Sequence, residues 1–261
     1  MKSAEIDKEK NMNRVFLLGG KDLEMSTISD MLAEKKECFI DKHLSWDNAK
    51  LSAYIEEIKL YNTSEYIIYG IELTEDIKPP ENYIRIDHHN DYDNKDSSLE
   101  QTAEILNYEL DRIQFLIAKN DSDYIDGMIN VGASLAEIQE VRLRDRYSQG
   151  VTTAEENRAL LDIENNKMII DDLIVVKTSL SKFSPITDRL YPYKQLIIYS
   201  NDELVYYGYK KNILVNCFLE RISKGEIYYG GKDNGFMGTP NGRFTGKEII
   251  KLLEEIKRII L

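Results

Sequence analysis

The sequence predicts an α/β protein, with a parallel-sheet N-terminal domain followed by a smaller mixed α/β C-terminal lobe, and three observations predict it. Short apolar runs at residues 14–18, 38–40, 66–71 and 83–86 alternate with helical periodicity, the pattern of βαβ units and hence of a parallel sheet covered by helices. These runs close on glycine or on polar, ligand-grade side chains, which a parallel sheet gathers at one rim, where open α/β sheets bind ligands. From about residue 172 the pattern changes to strands at residues 173–178, 195–200 and 204–209, and the chain closes with an amphipathic helix over residues 246–260.

Length and composition bound the function. The chain has 261 residues, room for one large or two ordinary domains, and its 42% hydrophobic content is that of a globular protein. A net charge of −12 and a sequence pI near 4.9 oppose the broad basic face that long nucleic acid requires, while leaving room for a local basic pocket. Cys38 and Cys217 make no metal-type spacing, so two reduced, buried thiols in a cytoplasmic protein are expected. Residues 1–13 are polar and charged; they lack the apolar stretch of a secretion signal and read as a mobile leader. No run approaches the length of a membrane span.

Taken in order, residues 14–18 run into Gly19-Gly20, which let the backbone turn and another group come close. Asp22 and Glu24 follow at the entry to a helix through Met31 and Leu32, where Asp22 is either a ligand or the helix cap. Residues 38–40 form a second strand that stops at Asp41-Lys42-His43. Residues 47–60 are helical, with Ala49, Leu51, Tyr54, Ile55 and Ile58 on one face. The strand at 66–71 closes on Glu72, and Pro79-Pro80 separate it from the strand at 83–86. That strand runs straight into Asp87-His88-His89, which holds two of the protein's three histidines. A carboxylate and paired imidazoles at a strand end suit a cation beside an anionic substrate, the alternative being solvated loop histidines. Ser97-Ser98 with Glu100 or Gln101 form a capping box for a helix expected to reach about residue 116. It leads to Asn120-Asp121, a turn or a further ligand.

Asp87-His88-His89-Asn90, the Ser97-Ser98-Leu99-Glu100-Gln101 that opens the next helix, and Asn120-Asp121 together resemble the motifs of the DHH phosphoesterase superfamily, and Gly20-x-Asp22-Leu23-Glu24 resembles a variant of its first motif. The resemblance spans residues 14–130. It implies a two-metal, usually manganese, phosphohydrolase, with magnesium as the other cation of matching chemistry. Carried across residue by residue, it implies Asp22, Glu24, Glu72, His88 and Asp121 as metal ligands, His89 as the contact to a phosphate oxygen, and Asp87 as the group that orients a ligand imidazole. The departures are specific: Leu18 stands where the first motif has a histidine, Glu24 replaces its second aspartate, and Glu72 stands for the bridging aspartate unless Glu75 or Asp76 supplies one. His43 is a candidate substitute for the missing imidazole.

In the second half, residues 134–147 and a segment with a Thr152 or Thr153 box are helical, with charged faces at 142–146 and 155–158 expected in solvent. Residues 215–221 read as a further strand, and 226–229 as another. The expected domains are 14–133 for the DHH-type metal-binding domain, 134–171 for a helical linker, and 172–261 for a lobe corresponding to a divergent form of the family's substrate-recognition lobe. Gly230, Gly231, Lys232 and Arg243 can meet phosphate through exposed N–H groups and positive charge, or the glycines simply serve a flexible connection. Tyr228, Tyr229 and Phe236 can stack a base. The expected partner is a small phosphorylated substrate, a nucleotide or short oligonucleotide, not long nucleic acid or a membrane; a non-catalytic nucleotide- or protein-binding module is the alternative.

Overall fold

Two sheets organise the chain, one in each of its two units, Met1–Gly150 and Val151–Leu261. The computed structural model describes residues 12–92, 94–231 and 234–261, so most of the expected leader and Lys232 lie outside the described residues.

In the first unit the strands β1 (Asn13–Leu17), β2 (Cys38–Ile40), β3 (Tyr66–Ile71) and β4 (Tyr83–Ile86) form a sheet in the order β2-β1-β3-β4. All pairs are parallel, with Val15 opposite Cys38 and Ile68, and Ile71 opposite Ile86. Alternate side chains serve opposite faces. Val15, Leu17 and Ile68 pack with Ala49, Leu51, Tyr54 and Ile58, whereas Phe16 and Tyr69 stack on each other at 4.9 Å between centroids. The segment expected as one helix over residues 47–60 is instead two 3₁₀ turns, Trp46–Asn48 and Leu51–Tyr54, followed by α2 (Ile55–Tyr61), with Ile55 exposed.

Helix α1 (Leu23–Glu34) packs against α3 (Ser98–Leu106), α4 (Arg112–Asn130) and α5 (Leu135–Ser148). The helix expected from residue 98 to 116 is therefore two. Asn107 ends α3 in the left-handed conformation, which asparagine tolerates, and Asp111 caps α4 through the Gln114 N–H. The capping boxes at Ser97 with Glu100 and Ser134 with Glu137 are both formed.

The second unit contains α6 (Thr153–Asn166), capped by the Thr152–Glu155 box, β5 (Lys167–Ile170), β6 (Leu173–Lys177), α7 (Ser184–Leu190), β7 (Gln195–Tyr199), β8 (Leu204–Gly208), α8 (Lys211–Cys217), α9 (Leu219–Ser223), β9 (Tyr228–Gly230), β10 (Phe236–Gly238) and α10 (Gly246–Ile260). Its sheet runs β5-β6-β7-β8-β10-β9, parallel only between β6 and β7. The alternation is clean. Leu173, Val175, Ile197, Tyr199, Leu204 and Tyr206 face α8 and α10, while Val176, Leu196, Ile198 and Val205 face Ala159, Phe183 and Ile186.

Four expectations are corrected here. Residues 215–221 are helical rather than a strand: Leu214, Val215 and Phe218 are buried and Ile222 packs on the same cluster, a spacing of three to four that overrides the β preference of Val and Phe. The expected linker is divided, since α5 falls in the first unit and α6 with β5 in the second. The charged faces are in part turned inward, because Arg142, Asp145, Arg146 and Glu156 are buried. Both cysteines are exposed. No helix among the described residues is long and apolar enough to cross a membrane.

Candidate metal centre

Close backbone packing at the ends of β1 and β3 builds the floor of the site. A Cβ on Gly19 would lie 2.6 Å from the Ile71 carbonyl oxygen and 2.7 Å from that of Glu72, so only glycine lets the two ends approach. Glu72 sits just past β3 in the left-handed region at φ 51°, a conformation that costs a non-glycine residue about 1–2 kcal/mol and that its N–H bond to the Ile86 carbonyl oxygen, 2.9 Å, helps to hold. Asp22 caps α1 by accepting from the Met25 N–H at 2.8 Å. Glu24, in the first turn, uses Oε1 to accept from the Leu99 N–H at 2.9 Å, at the start of α3. The N-terminal ends of α1 and α3 thus both meet carboxylates, the sign their dipoles favour.

These segments converge on His88. Its Nε2 lies 2.7 Å from Asp121 Oδ2, 3.2 Å from Glu72 Oε1 and 3.5 Å from Glu24 Oε2. None of these contacts has hydrogen-bond geometry: Glu24 Oε2, both Glu72 oxygens, His88 Nε2 and Asp121 Oδ2 are buried with no hydrogen-bond partner among the described residues. Glu72, His88, His89 and Asp121 each offer a ligand atom, and all four lie within 4.8 Å of one another. His89 is half-exposed, its Nδ1 3.7 Å from Glu72 and 3.3 Å from Asp87.

The electrostatics carry the same signature. Burial, then the charges of Asp121 and Glu72, push the Asp22 carboxyl up to about 8, and the same causes hold Glu24 well above the usual carboxylate range. Burial opposes charge on His88, but Asp121, Glu24 and Glu72 outweigh it and push the imidazole up to about 12. Buried acids of like charge with too few donors to satisfy them are costly, and a divalent cation relieves them. The donor set of carboxylate oxygens and one or two imidazole nitrogens fits manganese or a magnesium-like ion.

A ring of supporting contacts fixes the ligands. Arg85 donates to Asp87 Oδ2 from Nε at 3.0 Å and from Nη2 at 2.6 Å, while Asp87 Oδ1 accepts from the His89 N–H at 2.9 Å. Burial alone would raise the Asp87 carboxyl, but His89 and Arg85 hold it well below the usual range. Gln101 donates to the Asp87 carbonyl oxygen at 3.1 Å, so the Ser97–Gln101 segment pins the Asp87-His88-His89 segment. Lys119 reaches Glu100 at 2.5 Å. Arg142 is buried between Asn120 Oδ1 at 2.9 Å and Asp145 Oδ2 at 2.7 Å, with the Tyr124 ring 4.5 Å away, next to the kink at Asp123 and Tyr124 that interrupts α4 just beyond Asp121.

Of the residues singled out in the sequence, Glu24, Glu72, His88, His89 and Asp121 are brought together, Asp22 feels the charge of Asp121 and Glu72, and Asp87 stands behind His89. Asp121 belongs to a helix, not a turn. His43 is not in the cluster; it is exposed and paired with Asp41 at 3.0 Å. Asp76 accepts from Ser52 and Glu75 lies 3.6 Å from Arg85, so neither joins His88. Leu18 is fully buried. Gly230, Gly231 and Arg243 belong to the second unit: Gly230 ends β9, Gly231 turns the hairpin at φ 73°, and Arg243 is exposed. The sequence places Arg142 and Asp145 in solvent, because an i,i+3 charge pair on a polar helix looks the same whether it faces solvent or a motif.

No family model and no curated protein matches the chain. Among solved structures, one described as the DHH domain of a member of the s1p family of ribosomal proteins matches the whole chain over 90% of its own, with a TM-score of 0.55 at 12% identity. The chain has the fold of that DHH domain. Two further solved structures score lower: a pGpG-specific phosphodiesterase from Vibrio cholerae has a TM-score of 0.49 at 12% identity, over 94% of this chain and 97% of that one. RecJ of Thermus thermophilus in complex with Mn2+ has a TM-score of 0.38 at 11% identity, over 92% and 52%. Glu72, His88 and His89 follow β3 and β4 directly and Glu24 lies in the helix after β1, at the C-terminal rim of the parallel sheet, where Asp121 joins them from α4.

Proposed function

We propose that the chain is a divalent-metal-dependent phosphohydrolase acting on a phosphoester or phosphoanhydride of a small nucleotide or short oligonucleotide. One observation carries the reading: five buried polar atoms on Glu24, Glu72, His88 and Asp121 face one another without a hydrogen bond. Manganese is the cation proposed, held by Glu24, Glu72, His88 and Asp121, with Asp22 beside them; bound there, it supplies a Lewis acid and a water of lowered pKa.

The remaining work falls to the chain's own groups. His89 is half-exposed beside the ligands, and Asp87 raises its basicity, so near neutral pH it carries more positive charge than a free imidazole and can donate to a phosphoryl oxygen. Asp87, clamped by Arg85 and Gln101, keeps the His89 ring from turning away. Glu24 and Asp22 are fixed to α3 and α1 by backbone N–H groups, which limits drift of the site during phosphoryl transfer. Gly230, Gly231, Lys232 and Arg243 are proposed to assist substrate phosphate. A second reading, a nucleotide- or protein-binding module, is favoured by Leu18, an apolar side chain where the motif has an imidazole.

The test measures bound metal by elemental analysis and product release from pyrophosphate, short oligonucleotides, linear and cyclic dinucleotides with manganese. Turnover lost in His88→Ala and in Asp121→Ala, with both variants folded, supports the enzyme. Metal retained with no turnover on the whole panel selects the binding module, and full activity in both variants sinks the site.

A further inference from the structure

Trp46, the protein's single tryptophan, is held beside the metal centre with 47% of its surface exposed. Isolated exposed apolar side chains are ordinary, but this one is locked in place. Its turn is stitched on both sides to the segments that carry acidic ligands. On one side Gly20 bridges Leu44, and the Lys21 N–H, next to Asp22, donates to the Leu44 carbonyl oxygen at 3.0 Å. On the other side Thr74, two residues beyond Glu72, donates to the Ala49 carbonyl oxygen and accepts from the Leu51 N–H, both at 2.9 Å. Gly20 makes the seat: a Cβ there would lie 2.3–2.7 Å from the two atoms of the indole's fused bond and a neighbour, so the ring lies directly over the glycine backbone. The His89 ring stands 6.1 Å away, tilted 62° to the indole, and is itself 4.2 Å from the His88 ring.

We propose that Trp46 is the stacking platform for the base of a nucleoside phosphate whose phosphate sits at the metal centre, which makes the site one for nucleotides and not for inorganic pyrophosphate or polyphosphate. The proposal rests on the phosphohydrolase reading for where the phosphate lies. His89 is the group between the two: it touches the ligand cluster on one side and the indole on the other. Every base has a π-face, so the indole selects for the presence of a base and little for which base. Exposure is what the role requires, because a buried ring has no face to offer.

The experiment uses the manganese-loaded full chain and reads Trp46 fluorescence, with no other tryptophan to mask it, during titration with adenosine 5′-monophosphate and, in parallel, inorganic phosphate. A saturable change with the nucleotide and little with phosphate is expected. By calorimetry, Trp46→Ala should weaken the nucleotide about 5- to 150-fold while leaving phosphate unchanged, and Trp46→Phe should keep most of the affinity. Equal affinities of wild type for nucleotide and phosphate overturn the proposal, as does an equal loss of both in Trp46→Ala, the mark of a purely structural ring. If Trp46→Ala does not fold, wild type and Trp46→Phe decide it: Phe must preserve the preference for nucleotide over phosphate. The two readings fail separately. A chain that hydrolyses nothing but still reports the nucleotide loses the hydrolase and keeps the platform; an active enzyme whose Trp46→Ala variant binds nucleotide as wild type does the reverse.

Discussion

Glu72 in the first unit and Asp162 in the second are both buried carboxylates, at 6% and 2% exposure, yet their surroundings are opposite. Asp162 is surrounded by donors: the Thr178 hydroxyl at 2.6 Å, the Asn166 amide at 3.3 Å and the Arg158 guanidinium at 2.9 Å. Among the described residues Glu72 has no hydrogen bond to either side-chain oxygen; it has a left-handed backbone, and an imidazole and other carboxylates for neighbours. A buried acid is therefore not a site by virtue of burial. Donors that arrive from the protein make it structural; donors that fail to arrive leave room for a cation.

The contrast can be broken most directly at Glu72. Glu72→Gln removes one charge from the cluster, so manganese affinity, measured by calorimetry, should fall by more than about a hundredfold, past the loss expected for an outer partner of a ligand. The metal-free variant should unfold at a temperature no lower than metal-free wild type, because like-charge repulsion is relieved. Unchanged metal affinity would remove Glu72 from the ligand set.

Asp162→Ala should behave in the opposite way, lowering unfolding free energy by about 1–3 kcal/mol in urea titrations through the donors left unpaired, with metal content unchanged. A loss of metal in this variant would erase the distinction between the two acids.

Acidity sharpens it further. Asp22 is raised from 3.8 to about 8 and His88 from 6.5 to about 12, so in both cases the folded, metal-free chain binds more protons than the unfolded one. Stability of the metal-free protein should therefore fall as pH rises, between about 4 and 8 through Asp22 and from 6.5 upward through His88. Saturating manganese, which takes the place of those protons, should flatten the slope. Denaturation with a chelator at several pH values checks this, and a metal-free stability that rises over that window contradicts the picture.

The smallest effect belongs to His43, exposed and paired with Asp41. His43→Ala should change stability by no more than about 0.5 kcal/mol and leave metal content as it is.

Much of the fold is legible in the residues because its causes are local. The box at Ser97 with Glu100, the strands at 195–199 and 204–208, and the amphipathic helix over 246–260 can be read from local pattern alone, and each appears where it was expected. Residues 215–221 read as a strand because Val215, Cys217 and Phe218 suit one until α8 is seen against β8 and β10. At the site, the order of Asp22, Glu24, Glu72, His88 and Asp121 along the chain and the close approach at Gly19 were visible, whereas the roles of Arg142 and Trp46 were not, since each depends on a segment distant in sequence.

By itself the sequence determined the period of each element, its caps and the ligand-grade side chains at the rim, because those follow from hydrogen bonds and side-chain directions within a few residues. Only the tertiary structure decided which carboxylates find donors and which do not. Whether an acid is satisfied depends on what another part of the chain brings to it, and that is settled by packing.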